Sequence, residues 1–118
     1  HANVKQAILK ASELDTRLVM RPLRNTERVL ANAGVARLLE KERTLGDRIT
    51  FSDIVAEVGG VYPRVMKNGE MDAGAWSCGL VAGLVNDIPS VQELIDRIVR
   101  EAEEIVRKRL QRVVADKD

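Results

Sequence analysis

The chain has little of what most functional classes require. Its 118 residues include one Cys, one His and three aromatics, Phe51, Tyr62 and Trp76. A single Cys forms no internal disulfide, which fits a reducing, cytoplasmic compartment. One His, at position 1, supplies neither a His-based metal set nor a Cys–His pair, so no metal is expected. So few aromatics argue against a base-stacking platform. Charge of one sign does not prevail: 19 Lys and Arg face 18 Asp and Glu, a net charge of +1. That balance leaves no electrostatic footprint for nucleic acid or an anionic membrane. No apolar run approaches the roughly 20 residues of a membrane span, and no internal repeat is visible.

What is present fits one domain, since a chain of this length buries about two-thirds of its unfolded surface. The chain starts at His1 rather than Met, and Ala2-Asn-Val-Lys reads as a helix opening. The expectation is a piece excised from a longer protein, with any N-terminal targeting segment outside it.

The pattern predicts a predominantly α fold, an irregular domain of about six helices with at most a short extended segment. Asn3 is a candidate cap for a first helix with Val4, Ala7, Ile8, Ala11 and Leu14 on one stripe. Thr16 to Arg21 reads as extended and stops at Pro22. Asn25-Thr26 offers a cap for a second helix to about Arg43, weakened in the middle by Gly34. Ser52 would cap a third through Val58, stopped by Gly59-Gly60. Pro63 suits the first turn of a fourth, ending at Asn68-Gly69. A fifth is expected from Ala73 to Leu84. After a turn at Asn86 to Pro89, Ser90-Val-Gln-Glu93 is a capping box for a sixth. Its stripe runs from Leu94 to Val113. Its other face pairs Glu93 with Arg97, Asp96 with Arg100, Glu103 with Arg107 and Glu104 with Lys108, a solvated charge ladder.

One stretch looks built for more than packing. Asp72 to Gly83 holds the Trp, the Cys and Gly74, Gly79 and Gly83. Glycine costs roughly 1 kcal/mol inside a helix, so Gly79 and Gly83, one turn apart, need a reason. Their spacing would let a backbone or a flat ligand come close, with Ser77 and Trp76 alongside; a tight helix crossing would use the same spacing. Arg17, Arg21, Arg24 and Arg28 cluster near a possible helix start but lack a glycine-rich loop, and read as solvated or acid-paired. Cys78 reads as a small core residue, and Glu70 and Asp72 as turn and helix-start acids.

The run Met66-Lys-Asn-Gly-Glu-Met-Asp-Ala-Gly-Ala-Trp-Ser-Cys-Gly-Leu-Val-Ala-Gly-Leu-Val-Asn-Asp-Ile-Pro89 resembles the C-terminal pattern of the nitronate monooxygenase (2-nitropropane dioxygenase) family. Arg21-Pro-Leu-Arg-Asn-Thr-Glu-Arg-Val29 is similar to that family's Arg-x-Leu-Arg-Asn-Thr segment. His1 to Ile8 is similar to the helix after its last barrel strand. The resemblance spans nearly the whole chain, in order.

The resemblance implies an FMN-dependent (β/α)8-barrel oxidoreductase, of which this chain is the C-terminal helical portion. Residues 1–15 would be the helix following the last strand, 16–88 a helical lid and 89–118 the C-terminal helix. The family's catalytic His lies in the barrel and is not His1, and the expected partner is that barrel. Substrates across the family are nitronates, quinones with NAD(P)H, and enoyl thioesters. Ser77 would face the substrate side of the flavin, with Trp76 shaping the pocket or bracing the helix. Gly79 would admit close approach of the flavin, and Gly83 would pack against the barrel. Cys78 replaces the family's Ala, and Met66 stands where relatives often have Tyr. Alone, the piece is expected to be inactive, without bound FMN, and homo-oligomeric. The alternative is a stand-alone helical interaction or dimerisation module.

Overall fold

Ala2–Lys10 forms α1, and its cap is His1, whose ring nitrogen accepts from the Asn3 N–H at 3.1 Å. Asn3 itself is turned outward from the helix end, its amide donating to the Gly69 carbonyl at 3.0 Å. The helix is shorter than its apolar stripe suggests. Ser12 and Asp15 form a capping box around a single 3-10 turn, Glu13–Asp15, and this leaves Leu14 exposed. The computed structural model describes residues 1–111. They fall in two compact units, His1–Asn86 and a second beginning at Asp87.

In the first unit, Thr16–Val19 (β1) and Glu27–Leu30 (β2) pair antiparallel, Thr16 opposite Leu30 and Val19 opposite Glu27. The extended segment foreseen at Thr16 is therefore there. The helix foreseen from Thr26 is not, because the chain reverses first. Met20 and Arg24 both take positive φ, 59° and 55°, and the Asn25 N–H returns to the Met20 carbonyl at 3.3 Å. Pro22 sits at the second position of the Arg21–Arg24 turn, where its fixed φ is suited. The Met20 N–H is held by the Glu42 carboxylate. Helix α2 starts only at Ala33 and runs to Leu45, capped by Asn32, whose side chain accepts from the Val35 N–H at 3.0 Å. Gly34 thus lies in its first turn rather than its middle.

Phe51–Val58 (α3) is capped by Thr50 with Asp53 rather than by Ser52. Val61–Asn68 (α4) starts after Gly60 and closes on Gly69, as the glycine pairs indicate. The core has two adjoining parts. Val19, Val29, Val35, Leu38 and Ile54 fill one; Val4, Leu30, Val61, Val65 and Trp76 fill the other. Glu57, also buried, bonds Lys41 at 2.7 Å, with Arg37 at 3.7 Å.

The fifth expected helix, Ala73 to Leu84, does not form; a single 3-10 turn covers Leu80–Leu84. Backbone competition explains this. The Ala75 N–H bonds the Glu57 carbonyl at 2.8 Å and the Cys78 N–H bonds the Arg28 carbonyl at 3.0 Å. These partners belong to other elements, so an intrahelical ladder cannot also be made. The fold is predominantly helical, with five α-helices among the described residues rather than about six, plus one hairpin.

The fifth, α5, is Val91–Ile105 in the second unit, with the Ser90–Glu93 capping box in place and a π-type turn continuing over Val106–Leu110. Glu103–Arg107 and Glu104–Lys108 pair as foreseen. Arg97 pairs instead with Asp87 at 2.5 Å, because Glu93 is engaged by Ser90. Asp96 accepts from Gln92 at 2.8 Å rather than pairing with Arg100. Val113 lies outside the described residues. Ile95, Ile98, Val99 and Val106 of the stripe are exposed. No described helix is long and apolar enough to cross a membrane.

Candidate functional site

Ser77 is placed by two elements and by its own buried anchor. It bridges antiparallel to Val29 of β2, so the segment lies along the outer edge of the hairpin. On its N-terminal side, Ala73, Ala75 and Trp76 are buried and anchor it. On the other side α4 brings Tyr62, in its first turn, to the Ser77 backbone: the Ser77 N–H donates to the Tyr62 hydroxyl at 2.9 Å. Ser77 itself is exposed.

The Ser77 hydroxyl sits between two partners. Tyr62 donates to Oγ at 2.6 Å, and Ser77 Oγ in turn donates to the Glu27 carboxylate at the start of β2. A second Tyr62–Glu27 approach is longer, 3.5 Å. A carboxylate oxygen only accepts, while a hydroxyl has one proton and two lone pairs. The order Tyr62 to Ser77 to Glu27 therefore puts one proton in each short contact.

Sequence reasoning missed Tyr62 and Glu27. The resemblance directed attention to Met66, which lacks the hydroxyl often found there. Tyr62 lies one turn earlier in α4 and supplies a hydroxyl to Ser77 from that position. The available signal was their spacing of four, which puts residues on one helix face. Glu27 carried no local signal, because its role depends on a hairpin the sequence reading replaced with a helix.

The other candidates fall in different places. Trp76 is 2% exposed, packed with Val4, Leu30, Val61 and Val65, and its indole N–H has no acceptor among the described residues. Gly79 is exposed, and a Cβ there would meet nothing nearer than a Val81 methyl at 3.8 Å. Gly83 is close-packed, but within this chain: a Cβ would stand 2.6 Å from the Glu13 nitrogen. Its contact within this chain is the junction with the Glu13–Asp15 turn. Gly79 and Gly83 do not share an α-helical face. Cys78 is half-buried against the Trp76 part of the core, and burial pushes its thiol pKa up.

Two of the four arginines, Arg17 and Arg28, are engaged at Thr16 within the hairpin. Arg17 donates to the Leu14 and Thr16 carbonyls at 2.7 and 2.8 Å, and Arg28 to the Thr16 hydroxyl at 2.8 Å. Asp72 accepts from the Ala33 N–H at 3.0 Å, a second cap for α2, and Glu70 pairs with Arg64 at 2.8 Å. No cluster of metal-ligating side chains occurs among the described residues. In the second unit a groove of about 500 Å³ is lined by Asp87, Pro89, Glu93 and Arg97, whose charges are largely paired with one another.

No protein-family model matches the chain. Solved structures do. FabK from Thermotoga maritima superposes with a TM-score of 0.77 at 28% identity over 92% of this chain. A single-substitution mutant of that protein gives 0.69 and 27%, again over 92%. The chain spans only about a third of the length of these proteins, 33% and 30%.

Proposed function

We propose that the chain is the C-terminal helical part of a flavin-dependent oxidoreductase of the nitronate monooxygenase type, in which it lids a (β/α)8 barrel. Two supports point the same way. The Met66 to Pro89 run resembles that family, and the fold is similar to FabK, a flavin-dependent barrel enzyme of the same superfamily. The single observation that carries Ser77 into the site is its placement. It is an exposed hydroxyl on a buried anchor, oriented by Tyr62 and Glu27.

The residues present fit a contact to one edge of a flavin rather than a complete flavin site. Gly79 leaves open space beside Ser77, followed by exposed Leu80 and Val81. FMN in the parent would take electrons from the substrate or NAD(P)H and pass them to an acceptor. Ser77 would hold and orient the reacting molecule, Trp76 would brace the segment from below, and Gly79 would allow the flavin close. The catalytic His and the phosphate-binding loops belong to the barrel. The 118-residue chain by itself is expected to copurify without stoichiometric FMN.

The exposed apolar stripe of α5 supports a partner surface, occupied by the barrel in the parent. In the isolated chain a second copy would cover it, and sedimentation at tens of micromolar should show a dimer.

The test is Ser77→Ala in the full-length parent. Flavin content and melting temperature should hold, while kcat/KM falls about 2- to 10-fold, the equivalent of one neutral hydrogen bond. Unchanged turnover in that variant removes Ser77 from the site.

A further inference from the structure

We infer that Ser77 offers its ligand a lone pair and not a proton, so that the group it recognises is an N–H or O–H donor such as a secondary amide. This deepens the reading above and rests on it for the statement that Ser77 faces a ligand.

The argument is a count of valences. Ser77 Oγ has one proton and two lone pairs. The proton goes to Glu27, which as a carboxylate has none to give. One lone pair receives the Tyr62 hydroxyl at 2.6 Å. Tyr62 cannot be reversed, because Ser77 has no second proton to give it: with that one proton on the Glu27 contact, only the tyrosine's own proton can fill the 2.6 Å contact. If Tyr62 gave its proton to Glu27 instead, the 2.6 Å contact would hold two oxygens with no proton between them. What remains at Oγ is one lone pair, on a residue exposed to solvent. A bare carbonyl or nitro oxygen there would meet oxygen against oxygen, so Ser77 would hold the reacting molecule by an N–H- or O–H-bearing part and not by the nitro or carbonyl group that reacts.

Glu27 is thus a positioning residue. It fixes which way the Ser77 proton points, and through it the polarity of the site. Tyr62 fixes the rotamer from the other side.

The experiment uses the isotope-labelled 118-residue chain and two small probes matched in shape. N-methylacetamide carries one N–H; N,N-dimethylacetamide carries none. In NMR titrations, signals of Ser77 and Tyr62 should move with N-methylacetamide at about fivefold tighter affinity than with its dimethyl analogue, the ratio worth one neutral hydrogen bond. In Glu27→Gln the new amide can give Oγ a proton, the serine proton becomes free, and the ratio should fall toward one. Tyr62→Phe keeps the Ser77–Glu27 bond and frees a second lone pair, so preference for the N–H probe should persist. Equal or stronger response to the dimethyl probe, response to neither, or loss of preference in Tyr62→Phe would each overturn the assignment. Such a result with Ser77→Ala still slowing the flavin-loaded parent would leave the flavoenzyme reading in place. The fivefold preference with normal turnover in Ser77→Ala would overturn that reading alone.

Discussion

Gly34 and Gly74 meet backbone to backbone: a methyl group on Gly34 would stand 2.5 Å from the Gly74 Cα and nitrogen. The contact lets the first turn of α2 lie against the chain leading to Ser77. Neither backbone can retreat, since Asn32 bonds the Gly74 carbonyl at 3.0 Å and Asp72 bonds the Ala33 N–H. Gly34→Ala should therefore destabilise by about 1–3 kcal/mol through overpacking, despite alanine's better helix propensity. Gly74→Ala should cost more, because its φ is 153° and a Cβ would overlap the Glu57 carbonyl. Urea midpoints of the two variants give the ordering; a stabilised Gly34→Ala would show that the contact is loose.

Glu57 and Lys41 should respond unequally to removal. The Glu57 side chain is 5% exposed and the Lys41 side chain 36%. Lys41→Met strands a buried acid with only Arg37 near it, which should cost about 3–5 kcal/mol. Glu57→Gln keeps an acceptor in place and lets Lys41 turn to water, so the loss should be about 1.5–3 kcal/mol. Equilibrium unfolding of both variants decides the order.

The helix caps predict an acid-sensitive component of stability. The Thr50 hydroxyl, then the Thr50 N–H, hold the Asp53 carboxyl below its ordinary value of 3.8. The Ser90 hydroxyl and N–H act likewise on Glu93, below 4.5. A carboxyl whose pKa falls on folding contributes fully above its unfolded value. It loses that contribution as pH drops through the lower folded one. Asp53→Asn should thus be less stable than the parent chain at pH 7, with the gap closing at about pH 2. A gap that stays constant across that window would rule out the carboxylate as its source.

Cys78 should be a slow thiol. Burial raises its pKa, and thiolate is the reactive form. Iodoacetamide at neutral pH should label the folded chain several-fold more slowly than the urea-unfolded chain, read by mass spectrometry. Equal rates would place the thiol in solvent.

Local chemistry was legible and long-range competition was not. The Ser90 capping box, Gly69 at the end of α4 and the extended Thr16 segment all rest on neighbouring residues, and the structure has each of them. Thr26 to Leu30 and Ala73 to Leu84 were misread as helix for one reason. Their backbone partners lie outside the segments themselves: Val19 opposite Glu27 across the hairpin, and farther off Arg28 beside Cys78 and Glu57 beside Ala75. Ser77 stood out through its neighbours in sequence. Tyr62 and Glu27 join it only through the hairpin and the docking of α4, 15 and 50 residues away.

Asn32 fastens three pieces of chain with one side chain. Its oxygen accepts from the Val35 N–H at 3.0 Å, while its NH2 reaches the Leu30 carbonyl at 3.1 Å and the Gly74 carbonyl at 3.0 Å. Aspartate, serine and asparagine are near equals as helix caps, yet here they are not interchangeable. Aspartate would keep the start of α2 and turn a second oxygen toward two carbonyls; serine would reach fewer of the three. The end of the hairpin, the head of the helix and the strap carrying Ser77 therefore share a single rivet, so a spontaneous deamidation at this residue would loosen the strap without unwinding the helix.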